Sequence, residues 1–172
     1  AFTNILQKGL VVLATHRLVG GIDNFEPQAF QAKLEDAFEF RSFQFGASAE
    51  AKEQAKQKML AEMRTLHEQN ATAFGIYMGQ GAFHVAVLKD KQSMDTVGGT
   101  KSEAWKSLDV SILQKLVLEH QLGLDEDKTG NPDYVEYIKD RPTAIGELID
   151  SVDSGRKQIA FFTNPVKMPQ LV

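Results

Sequence analysis

Three consecutive polar residues, Thr15, His16 and Arg17, follow the apolar run at 10–14 in the stretch VVLATHRLVGG. They are the first place where this sequence could do chemistry. An imidazole changes charge close to neutral pH, and a guanidinium grips a carboxylate or a phosphate through two parallel hydrogen bonds. Polar side chains emerging from the carboxyl end of a core strand stand where α/β sheets place their ligands. Thr15, His16 and Arg17 are therefore the candidate catalytic residues, with Arg17 holding an anionic group and His16 nearby as acid or base. The competing reading pairs Arg17 with a structural carboxylate and turns His16 outward, because ion-pair networks also draw such residues together.

Other stretches imitate known sites less well. DEDKTGNPDYVE, residues 125–136, places Asp125, Asp127, Thr129, Gly130 and Glu136 at the first, third, fifth, sixth and twelfth positions of a calcium loop. Pro132 interrupts it where a backbone amide is needed, and YVEYIK continues with strand period, so a solvated acidic turn before a strand explains the same residues. GQGAFH has His84 where a dinucleotide loop needs a third glycine, and a hairpin is the better reading. The GGTKS run with Gly98, Gly99, Lys101 and Ser102 lacks the leading glycines of a phosphate loop and reads as a flexible loop. His16, His67, His84 and His120 stand singly, none at helical spacing from another histidine or a carboxylate, so no metal is expected. His67 and His120 are placed near helix ends, and His84 on a strand as a satisfied core residue. No cofactor is assigned by these patterns.

The elements that must position these residues follow from hydrophobic period. Residues 10–14 read as a core strand and Gly20–Gly21 as a turn. EPQAFQAKLEDAFEF predicts a helix with Pro27 in its first turn and Phe30, Leu34, Ala37 and Phe38 on one face. Phe38, Phe40, Phe43 and Phe45 predict a strand, with Arg41 and Ser42 interrupting the alternation as a bulge would. Ser48 caps a helix to about Gln69 with Ala51, Ala55, Met59, Met63 and Leu66 as its stripe, and Asn70 is a plausible stop. TAFGIYMGQGAFHVAVLK predicts a hairpin. Residues 90–106 read as a surface loop anchored by Trp105. Asp109 then caps an apolar helix stopped at Gly123. YVEYIKD predicts a strand, Pro142 opens a helix to about Gly155, and QIAFFTN is a final strand closed by Pro165. The pattern predicts one α+β domain over 1–172, a mixed, partly antiparallel sheet packed against about four helices.

Composition narrows the function classes. At 172 residues and 42% hydrophobic content the chain can bury a substantial core. A net charge of −4 offers no basic surplus, so nucleic acid is not an expected partner. The absence of cysteine excludes disulfides and thiolate chemistry and suits a cytoplasmic protein. No apolar run is long enough to suggest a membrane span. The abrupt ends suggest a fragment of a longer protein.

The stretch GLVVLATHRLV resembles a segment of the bacterial and archaeal family known as domain of unknown function 1015, with Ala14 where that family commonly has proline. YVEYIKDRPTAIGELIDSVDSGRKQIAFFTNPVKMPQ is similar to the family's strand, helix and apolar strand leading to an Asn-Pro turn, here Asn164 and Pro165. The likeness covers the later part of the family's sequence; the family's Asp-Gly-His-His-Arg stretch is absent from this chain. The resemblance implies a C-terminal domain that is not catalytically complete alone, whose partners would be the missing N-terminal half and a small anionic ligand. Its alternative implication is part of a nucleotide-dependent phosphotransferase, similar to ParB-like proteins and free serine kinases, acting on a small metabolite.

Overall fold

A computed structural model of the chain describes residues 14–69, 71–89 and 112–164. In chain order these form β1 (Thr15–Val19), α1 (Pro27–Leu34), β2 (Phe38–Gln44), α2 (Ala49–Glu68), β3 (Ala73–Tyr77), β4 (Ala82–Leu88), α3 (Leu113–Gln121, wound as a wide π-type helix), α4 (Glu126–Thr129), β5 (Val135–Lys139), α5 (Ala144–Asp153) and β6 (Ile159–Phe162). The strands make one sheet in the order β2-β4-β3-β6-β1-β5. The architecture is α+β, and all five pairings are antiparallel, further than the partly antiparallel arrangement expected.

Helices cover both faces of the sheet. Phe30 and Leu34 of α1 and Leu113 and Val117 of α3 pack against Phe38, Phe74, Ile76 and Phe161 on one face. On the other, Ala55, Met59, Met63 and Leu66 of α2 and Leu148 and Val152 of α5 pack against Leu18, Val85, Ala160 and Phe162. A strand buried on both faces has no use for polar alternation, which is why AFGIY and IAFF read as unbroken apolar runs.

The same fact corrects the expected bulge. β2 pairs with β4 without interruption from Phe38↔Leu88 to Gln44↔Ala82. Phe38 and Phe40 serve the α1 face, Phe43 and Phe45 the α2 face, so the phenylalanines change side with no inserted residue. The helix expected to extend to Phe38 ends at Leu34, and Phe38 opens β2. The α2 stripe stands as read, with Ser48 Oγ accepting from the Ala51 amide at 3.2 Å. Gly79, Gln80 and Gly81 turn the hairpin with positive φ, as a tight reversal requires.

The expected placement of the polar trio after a strand needs a second correction. Residues 10–13 lie outside the described residues, and Thr15, His16 and Arg17 are themselves strand, the first three residues of β1. Gly98 to Ser102, Asn70, Trp105, Asp109 and Pro165 also lie outside the described residues. In the acidic stretch, Asp125 Oδ1 caps α4 through the Lys128 amide at 2.9 Å and Glu136 pairs with Arg156 at 2.8 Å. Two of the five calcium-type residues are thereby committed to other partners.

Candidate functional site

Antiparallel pairing decides what meets at the start of β1. Its first residues lie beside the ends of β5 and β6, so His16 is brought to Asp140 and to Thr163–Asn164. On the α2 face of this corner lies a cleft of about 330 Å³. Its polar walls are Asp140, Asn164, Arg64 and His67, and Met63 and Phe162 belong to its apolar lining. Helix period places Met63, Arg64 and His67 there together, because residues three and four apart share a face.

His16 is 2% exposed and fully engaged. The Thr163 amide donates to its Nδ1 at 3.0 Å, so Nδ1 is the unprotonated nitrogen and Nε2 carries the hydrogen. Nε2 lies 3.1 Å from Asp140 Oδ1, to which it donates. Burial lowers the pKa of His16 below its ordinary value, against the opposing hydrogen bond and charge of Asp140; the charge of Arg17 lowers it further. The ring is therefore neutral at neutral pH. Protonating Nδ1 would break the bond from the Thr163 amide, so His16 acts as a brace for the Asp140 carboxylate. That carboxylate is 43% exposed and faces the cleft.

Asn164 is held in the same way. Its Nδ2 donates to the Met63 carbonyl at 3.1 Å, which docks the end of β6 on α2 and leaves Oδ1 for the cleft. Thr163 Oγ1 donates to the Thr15 carbonyl at 3.0 Å, tying the two strands together across the corner. Arg64 is exposed and has no carboxylate partner among the described residues.

Arg17 points the other way. Neighbouring strand residues alternate between faces, and Arg17 lies on the α1 side with Tyr137, its guanidinium 5.3 Å from that ring's centre. It is 8% exposed, donates through Nη1 to the Thr15 carbonyl, and its buried Nε has no partner among the described residues. Desolvation lowers its pKa. The structure thus brings His16 together with Asn164 and the unforeseen Asp140, and separates His16 from Arg17 by the thickness of the sheet. Thr15 contributes only its carbonyl to these contacts.

Asp140 was not singled out although it ends the predicted strand YVEYIKD and precedes a proline-initiated helix, the same strand-end logic that singled out the trio. Arg64 and Met63 were legible only as parts of a helix. His84 is buried and satisfied, its Nδ1 2.7 Å from Ser42 Oγ. Among the described residues no three His, Cys, Asp or Glu side chains are placed to hold a metal ion, and no helix is long and apolar enough to cross a membrane.

These features define an antiparallel α+β protein with a small polar cleft where three strand ends meet. A family model described as Protein of unknown function (DUF1015) matches residues 1–111, and the chain belongs to that family. The matched range includes Thr15, His16, Arg17 and Arg64 and ends before Asp140 and Asn164. No curated protein and no solved structure matches the chain.

Proposed function

We propose that this chain forms a binding pocket for a small metabolite carrying a hydrogen-bond-donating cation at one end and an anionic group at the other, as an amino acid does. The observation that carries this reading is the braced carboxylate of Asp140, held by His16 while His16 is held by a backbone amide. A carboxylate fixed in this way is a prepared acceptor, and Asn164 Oδ1 beside it can take a second hydrogen of an ammonium group. Arg64, which lines the cleft from α2, supplies the charge for a carboxylate or phosphate. A volume of about 330 Å³ suits a molecule of that size.

The cleft is read as a binding site because both ring nitrogens of His16, which braces its carboxylate, are already hydrogen-bonded. In a phosphotransferase this pocket would serve the acceptor metabolite, and the phosphoryl donor would be held by segments of the longer protein, with this chain as its later part. Calorimetric titration with a panel of free and phosphorylated amino acids tests the proposal. At least one should bind, Asp140→Asn should weaken it about tenfold or more, and Arg17→Met, on the other face, should leave it unchanged. No binding across the panel, or binding indifferent to Asp140→Asn, overturns it.

A further inference from the structure

The lining of the cleft at the start of β1 is of two kinds. Asp140 and Asn164 stand where a cation is held, and Arg64 and His67, three residues apart on α2, where an anion is held. The Thr163 hydroxyl is committed to the Thr15 carbonyl, and both nitrogens of His16 are taken. The rest of the lining is apolar: Leu60 and Met63 of α2, Ile145 of α5 and Phe162 of β6.

These four apolar residues are not equally covered. Met63 and Phe162 are buried, whereas Leu60 and Ile145 are only half-buried by the cluster they pack against. Helix period puts Leu60 one turn before Arg64 on the same face of α2, and Ile145 lies in the first turn of α5, shortly after Asp140. Each charged group therefore has an open apolar neighbour on its own segment. Apolar surface left open inside a concave site with a few convergent polar groups is surface that the hydrocarbon part of a ligand covers.

We propose that the pocket selects amino acids with an apolar side chain of leucine size, such as leucine, isoleucine or methionine, and that Leu60 and Ile145 determine this specificity. The inference rests on the pocket reading given above and narrows its ligand class. A hydroxyl or carboxylate on the ligand's side chain would leave water for a wall whose side chains offer no donor or acceptor, and a polar group left unpaired is penalised. Met63, unbranched and polarisable, lets the wall adapt among side chains of similar volume.

Calorimetric titration with leucine, with alanine and serine read by displacement of leucine, tests it. Leucine should bind about tenfold or more tighter than alanine, because its extra carbons enter the apolar wall, and tighter than serine. Leu60→Ala and Ile145→Ala should each cut the leucine-to-alanine ratio about threefold or more. Asp140→Asn should weaken both ligands together and keep the ratio. A ratio between two ligands on one preparation does not depend on how much of it is folded, which separates lost fit from lost folding. Leucine binding no tighter than alanine, serine binding tighter than leucine, or a ratio that neither alanine substitution lowers overturns the selectivity and leaves the Asp140 pocket standing. No binding of any amino acid overturns the pocket reading and this inference with it.

Discussion

His16 and Arg17 are chain neighbours on the same strand and are buried alike, yet they have opposite standing in the structure. Both nitrogens of His16 are hydrogen-bonded, one to a backbone amide and one to a carboxylate. Arg17 keeps its charge under an aromatic ring with its Nε unpaired. The difference teaches that burial of a polar group is informative only together with its partners. A satisfied group organises its surroundings, whereas an unsatisfied one carries a desolvation penalty.

The comparison breaks most visibly through His16. His16→Leu strands the buried Thr163 amide and frees Asp140, and should lower unfolding free energy by about 3 kcal/mol in denaturant titration. A loss below about 1 kcal/mol would mean that the Thr163 amide finds another acceptor. Arg17→Met should have the opposite sign, raising stability by about 1 kcal/mol, because an uncompensated charge disappears from the apolar face and an unbranched apolar chain takes its place. The Thr15 carbonyl keeps its bond from Thr163 Oγ1, so the substitution orphans nothing. If Arg17→Met destabilised the fold by that amount instead, its contact with Tyr137 would outweigh the penalty.

The smallest effect is in the pH dependence. Burial depresses the pKa of His16 and of His84 in the folded chain relative to 6.5, so the unfolded chain takes up protons first as pH falls. Their contribution is complete above about 6.5 and is lost progressively below it, down to the folded pKa values. Stability measured from pH 7.5 to 5 should therefore decline, and less steeply in His16→Leu. Equal slopes would assign the decline to His84 and to the carboxylates.

Much of this was legible in the sequence where a pattern is local. The α2 stripe, the Ser48 cap and the glycine hairpin depend on residues within a few positions of one another, and they stand as read. The phenylalanines of β2 suggested a bulge because alternation presumes one solvated face, and this sheet has none. The trio was recognised, but its division between two faces follows from its being strand itself, which the apolar run before it hid. Asp140 meets His16 across 124 residues and Thr163 meets it across 147, pairings that no local spacing encodes.

That connectivity also bears on how the molecule assembles. Strands β2, β3 and β4 come from one stretch, 38–88, and pair through a tight hairpin and a closure that stays within that stretch. Strand β1 has both its neighbours in 135–162 and gains no strand partner until that distant stretch is in place. Long-range pairing of this kind is slow, so the sheet should close from the β2 side towards β5. The cleft at the start of β1 would then be among the last parts to form, and a molecule bound there would hold together the least local contacts of the fold.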